Sequence, residues 1–189
     1  MNDGMFTPKD VALRAVGRTV VNFQRLEHCL KGLARLGSVE GALSKVQRDI
    51  ERRAVEASSF TLGQAIQAWI GIIANDGPSH ERTDDLFEPT VRGTFRLEGD
   101  VEALNAHGVA LKALLESRNN LIHGRLARFD WESREKCEAL VEELNGVNEA
   151  IAPQIEFLAG IGNAMQSIRP EDIEIEDSNG PVKWLPSSE

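Results

Sequence analysis

Apolar positions recur at helical spacing along most of the chain, and they predict a series of long amphipathic helices separated by capping and breaking residues. Thr7 and Asp10 form a capping box before the first helix, and Gly37 follows that helix. The predicted helices cover approximately residues 8–36, 39–57, 61–74, 100–122 and 131–168. The pattern therefore predicts an all-α fold, a single up-and-down bundle of four to six helices.

The connections are predicted from residues that favour turns. Residues 75–99 form a long irregular loop, in which the alternation over 91–97 favours one short extended piece at most. Gly124 is predicted to end the fourth helix, and Asn145-Gly146 together with Pro153 to break or kink the fifth.

The bundle is assigned to residues 1–168. Residues 169–189 form an acidic C-terminal tail that contains Pro170, Pro181 and Pro186. This tail is predicted either to be disordered or to pack as an arm through Trp184.

The net charge of the chain limits the classes of partner that it can bind. The 189 residues include 21 basic and 30 acidic side chains, for a net charge of −9. This balance excludes a generally polycationic nucleic-acid binder, so any polyanion must meet a local basic patch. Residues 1–53, with 10 basic and 6 acidic side chains, and residues 112–136, with 6 and 4, are the net-basic parts.

Location and cofactors follow from what the sequence contains. Two cysteines, Cys29 and Cys137, fit a reducing compartment. No apolar run approaches the roughly 20 residues of a membrane span, and residues 1–9 lack the layout of a signal peptide. We expect a cytoplasmic protein without a membrane partner.

No dinucleotide loop, phosphate loop, nucleophile elbow or zinc spacing is found in the sequence, so we expect neither cofactor nor metal.

Two charged residues fall within apolar stripes. On a helical wheel Arg118 lies about 20° from Leu111, in the stripe of the fourth helix. Glu27 lies in the stripe of the first helix, beside Phe23. The predicted stripes comprise Leu104, Leu111, Leu115 and Ile122 on the fourth helix, and Val16, Val20, Phe23, Leu26 and Leu30 on the first. A charge on a burying face is costly unless paired, so we predict an ion pair between Glu27 and Arg118.

These positions also admit a purely structural interpretation. The pair of Glu27 and Arg118 would then hold together a helical scaffold without chemistry. His123 would place a cation in the last helical turn, where the helix dipole favours it, with Gly124 as the terminator.

The Arg118-Asn119-x-x-x-His123 pattern, at the end of a helix in a small all-α chain, resembles the signature of the HEPN superfamily. The Phe23-x-x-Leu26-Glu27 stretch on the first helix is also similar to members of that family. The resemblance covers about residues 8–168 and implies a HEPN-like bundle.

The resemblance also implies an activity. Many HEPN proteins are metal-independent endoribonucleases of toxin–antitoxin, abortive-infection and other phage-defence systems, and they dimerise so that both subunits line one cleft. Carried over, Arg118 would bind the scissile phosphate of RNA, His123 would transfer a proton, Asn119 would assist and Glu27 would support the site. A homodimer, an RNA substrate and an antitoxin or other defence-system protein are the implied partners.

The tyrosine found two residues after the histidine in HEPN toxins that a nucleotidyltransferase antitoxin modifies is replaced here by Arg125, and the chain has no tyrosine. That mode of control is therefore excluded. The candidate RNA-binding residues are Lys112, Arg125, Arg128, Arg92 and Arg96. The alternative function is a non-catalytic HEPN-like module that binds RNA, a nucleotide or a protein.

Overall fold

The computed structural model describes residues 6–35, 39–74, 90–93, 97, 99–166, 174–177 and 180–183. These residues contain five α-helices, which confirms the predicted all-α class, and two small antiparallel ladders of two strands each. The helices are α1 (Pro8–Ala34), α2 (Leu43–Ser58), α3 (Leu62–Ala74), α4 (Val101–Asn119) and α5 (Arg134–Gln166).

Two predicted helix starts are confirmed in atomic detail. At α1 the Thr7 N–H donates to Asp10 Oδ2 over 3.0 Å, and the Asp10 N–H donates to Thr7 Oγ1 over 3.2 Å. At α3 the Thr61 N–H donates to Gln64 Oε1 over 2.8 Å, and the Gln64 N–H donates to Thr61 Oγ1 over 3.3 Å. These reciprocal bonds satisfy N–H groups that the first helical turn leaves without partners.

The predicted start of the second helix is wrong. Strand β1 (Val39–Ala42) precedes α2 and pairs antiparallel with β2 (Thr90–Gly93), so that Val39 lies opposite Gly93. The pairing satisfies backbone groups that a helix would otherwise use internally. Strand β2 agrees with the short extended piece expected within the irregular loop. Most of that loop, including residues 75–89, lies outside the described residues.

Within the acidic tail, β3 (Glu174–Asp177) and β4 (Gly180–Lys183) form an antiparallel hairpin. Ile175 lies opposite Val182 in its register. Trp184, the residue expected to anchor an arm, lies outside the described residues.

The chain divides into two compact units. The first comprises Met1–His28 and Val101–Phe157, and the second comprises Cys29–Asp100 and Leu158–Glu189. In the first unit a buried cluster joins α1, the segment after α4, and α5; its members are Ala12, Ala15, Leu121, Cys137, Leu140 and Leu144. The second unit buries residues of α2 and α3, including Ala57, Leu62, Ala65, Ile66 and Trp69.

The end of α4 differs from the prediction. The chain continues from α4 into a π-helical segment (Asn120–Arg125) and a 3-10 turn (Leu126–Arg128). Gly124 lies inside the π-helical segment, so its predicted role as a helix terminator is wrong. The Leu126 N–H donates to the Leu121 carbonyl, five residues earlier. Both leucines pack in the core cluster of the first unit, and this packing favours a turn with a five-residue repeat.

Of the break or kink predicted in the last helix, the break is wrong. Helix α5 is continuous through Asn145-Gly146 and Pro153. A proline in a helix interior loses one backbone hydrogen bond and crowds the preceding turn. Here the buried residues Leu144 and Ile151 anchor the helix on both sides of Gly146. None of the helices in the described parts of the chain combines the length and apolar character needed to cross a membrane.

Candidate functional site

The buried face of α4 places Arg118 among core residues. His107, Leu111, Leu114 and Leu121 are buried, and Arg118 occupies the position between the last two at the same helical spacing. Arg118 itself is half-buried. The prediction that an arginine interrupts the burying face of the fourth helix is therefore confirmed.

The centre of this face is rotated from the predicted one. Leu104, Leu115 and Ile122 were expected at the centre of the stripe, but each is half-buried. Leu121 is only 5 % exposed and takes the place expected for Ile122. Leu121 lies seven residues after buried Leu114, close to two full α-helical turns, so the whole buried face is shifted from the predicted stripe.

The two polar neighbours of Arg118 in the motif face solvent. Asn119 and His123 are both exposed, Asn119 at the end of α4 and His123 within the π-helical segment. The Arg118 guanidinium donates from Nη1 to Asn119 Oδ1 over 3.1 Å. This bond limits the orientations of the guanidinium and leaves its remaining donors available to an anion, since arginine carries five N–H donors in a fixed fork.

Glu27 and Arg118 are both half-buried, Glu27 on α1 and Arg118 near the end of α4. The Arg118 guanidinium donates to Asn119 Oδ1. The ion pair between Glu27 and Arg118 stays a prediction. Half-burial leaves each of these long side chains a route to solvent.

The π-helical segment changes how the motif residues are presented. In an α-helix, residues five apart lie about 140° apart around the axis. A π turn bonds each N–H to the carbonyl five residues earlier, and so brings residues with that spacing closer to one face. Arg118 and His123 are five residues apart, and the part of this interval from Asn120 onward lies within the π-helical segment. Single π turns of this kind occur frequently at functional sites.

The candidate RNA-binding residues fall into three groups. Lys112 and Arg128 are exposed, on α4 and on the 3-10 turn after the π-helical segment. Arg92 lies on β2, opposite Glu40, in the second unit. Arg96 lies outside the described residues.

Arg125 is occupied by contacts within the first unit. Its Nη1 forms an ion pair with Glu143 Oε2 of α5, and its guanidinium lies 5.8 Å from the centroid of the Phe129 ring. The Phe129 ring in turn packs edge-on against Trp131, with 4.7 Å between centroids. These contacts fix the chain that follows the π-helical segment and give Arg125 a positioning role.

His107 is not among the residues predicted from the sequence, and the structure buries it on α4. It is 8 % exposed; its Nδ1 donates to Gln154 Oε1 over 2.5 Å, and its ring lies 4.5 Å from that of Phe157. Burial lowers the pKa of the His107 imidazole, against the opposing effect of the Gln154 hydrogen bond. Its position four residues before Leu111 was the available signal that it shares the buried face of α4.

No three His, Cys, Asp or Glu side chains of the described residues come together as a set of metal ligands.

Comparison with known proteins gives no relative: no family model, curated protein or solved structure matches the chain.

Proposed function

We propose that the protein is an endoribonuclease of HEPN type that acts without a metal in a toxin or phage-defence role in the cytoplasm. In this proposal the chain forms a homodimer, and Arg118 and His123 from the two subunits line one cleft for RNA. An antitoxin or another protein of a defence system would control it.

The observation that carries the proposal is the π-helical segment at the end of α4. It holds exposed His123 one turn from half-buried Arg118, whose guanidinium is oriented by Asn119. This rare helical form coincides with the only Arg-Asn-x-x-x-His pattern in the sequence. Because single π turns occur frequently at functional sites, the coincidence supports a functional role for the motif residues.

The chemistry needs few protein groups because RNA carries its own nucleophile. His123 takes the proton of the ribose 2′-hydroxyl or returns one to the leaving 5′-oxygen, a task suited to an imidazole near neutral pH. The 2′-oxygen attacks phosphorus, the bond to the 5′-oxygen breaks, and a 2′,3′-cyclic phosphate and a 5′-hydroxyl remain. The Arg118 fork stabilises the charge that develops on the phosphate oxygens.

The test compares wild type with His123→Ala and, as a matched control, His28→Ala. His28 is an exposed histidine on α1, outside the motif. We expect His123→Ala to fold and melt as wild type while RNA cleavage falls by about 10²–10⁴-fold, the usual contribution of a general acid or base. His28→Ala is expected to keep full activity. Cleavage is measured on purified protein, and growth and RNA integrity are scored on expression.

The ends of the products and the response to chelator test the mechanism. We expect 2′,3′-cyclic phosphate ends, activity that survives EDTA, and no cutting where a deoxyribose replaces the ribose at the cleavage site. Full activity of His123→Ala would refute the assignment of the site. Binding of RNA by wild type without cleavage would favour the non-catalytic alternative.

A further inference from the structure

A second site is indicated by a groove between α1 and α5 in the first unit. The groove has a volume of about 430 Å³ and is lined by Val11, Arg14, Ala15 and Arg18 of α1 and by Val141 and Asn145 of α5. An apolar lobe of about 300 Å³ continues from it at Val11 and Val141, with Phe6, Pro8 and Glu138. This size is in the range of pockets that hold small ligands.

The basic end of the groove carries charge that none of the described side chains neutralises with an ion pair. Arg14 and Arg18 are one helical turn apart, and neither forms an ion pair with any described residue. Arg18 donates from Nη2 to the neutral Asn145 Oδ1 over 2.6 Å. Like charges at this spacing destabilise a helix, so an anion that bridges them would be favoured.

Lys9, Arg125, Arg134 and Lys136 of the same unit each form an ion pair with a carboxylate. What distinguishes Arg14 and Arg18 is that both line the same concave surface. Guanidinium groups that retain free donors match the oxygens of a phosphate.

The apolar lobe supplies the second half of a binding site. Phe6 is 56 % exposed, and the Arg14 guanidinium lies 3.4 Å from the centroid of its ring. The guanidinium covers one face of the Phe6 ring, so a nucleobase would stack on the opposite face. The Glu138 carboxylate at the lobe is held by Arg134 over 2.7 Å and can accept a hydrogen bond from a ribose hydroxyl or an exocyclic amine.

We propose that this groove binds a nucleoside phosphate, with the phosphate on Arg14 and Arg18 and the base in the lobe at Phe6. The nucleotide is either free or part of an RNA strand, because the chemistry that recognises both is the same. The site is formed by α1 and α5 and does not depend on cleavage at His123.

Titration calorimetry with the full chain tests the site. The probes are AMP, adenosine, inorganic phosphate and a short single-stranded RNA with a 5′-phosphate. We expect AMP to bind at least tenfold more tightly than adenosine or phosphate alone. Arg14→Ala and Arg18→Ala should each weaken AMP binding at least tenfold. Phe6→Ala should weaken AMP binding and leave phosphate binding unchanged.

Arg25→Ala is the matched control, since Arg25 is an exposed arginine of α1 that does not line the groove. It should bind AMP as wild type does, and so should His123→Ala, which separates this site from the proposed active site. If Arg14→Ala loses more affinity for the RNA than for AMP, the groove binds a nucleotide of a strand. If it loses more affinity for AMP, the groove binds a free nucleotide. Both results support the site. Absence of AMP binding at millimolar concentration, or equal losses in Arg14→Ala and Arg25→Ala, would overturn the proposal.

Discussion

Replacement of Leu121 by alanine is expected to destabilise the protein far more than the same change at Ile122. Leu121 is 5 % exposed and packs in the cluster formed by α1 and α5, whereas Ile122 is half-buried. Leucine-to-alanine changes in a packed core cost about 2–5 kcal/mol, because buried apolar atoms are lost and a cavity remains. We therefore expect a loss of about 3 kcal/mol for Leu121→Ala, and about half of that or less for Ile122→Ala.

Urea unfolding followed by circular dichroism measures both changes. With a slope of about 2 kcal/mol per molar urea, a loss of 3 kcal/mol lowers the midpoint by about 1.5 M. Equal slopes for the two variants and wild type show that the shift reports stability rather than a change in the surface exposed on unfolding.

The two variants test which face of this segment packs in the core. The stripe predicted from the sequence places Ile122 in the core, whereas the structure buries Leu121, seven residues after buried Leu114. A larger loss of stability for Ile122→Ala than for Leu121→Ala would refute the packing described here.

Two further predictions concern the contacts between helices of the first unit. Because burial lowers the pKa of His107 in the folded state below the unfolded value of 6.5, the unfolded chain binds the proton first. The contribution of His107 to the free energy of unfolding is complete above about pH 6.5 and is lost as the pH falls below that value. The variant His107→Asn keeps a donor for Gln154. In thermal melts, the extra stability of wild type over this variant should therefore decrease between pH 7 and pH 5. Asn148→Ala removes the donor of the 2.8 Å hydrogen bond to Oγ1 of fully buried Thr19. We expect it to lower the free energy of unfolding in urea by about 1–3 kcal/mol. The same change at exposed Asn145 should lower it by less than about 0.5 kcal/mol.

Helix starts were predictable because their determinants are local. The reciprocal bonds of Thr7 with Asp10 and of Thr61 with Gln64 span three residues, and the sequence alone contains both partners. Strand β1 was not predictable in this way. Its partner β2 is about fifty residues away, and a four-residue stretch such as Val39–Ala42 has no periodicity that distinguishes a strand from a helix start.

The candidate site was predicted in its residues but not in its geometry. The helical wheel identified Arg118 as a charge on a burying face, and the structure leaves it half-buried there. The wheel also led to the predicted ion pair with Glu27, but it gave no sign of the bond from Arg118 to Asn119. A wheel assigns every residue the same rotation, so it carries no information about a local π turn or about how far a long side chain reaches.

The spacing of five residues connects the core of the first unit with the candidate site. Leu121 and Leu126 are five apart, both pack against the core cluster, and the backbone bond between them closes the π turn. Arg118 and His123 are also five residues apart, and the chain between them includes the first residues of the π-helical segment. The packing that holds Leu126 against the core therefore also sets the direction in which His123 projects relative to Arg118. A regular α-helix over the same residues would turn His123 about 140° away from Arg118 and would carry Leu126 off the core face. Core packing and the arrangement of the motif thus depend on one local departure from the α-helix, at a point where two poor helix formers, Asn119 and Asn120, follow each other.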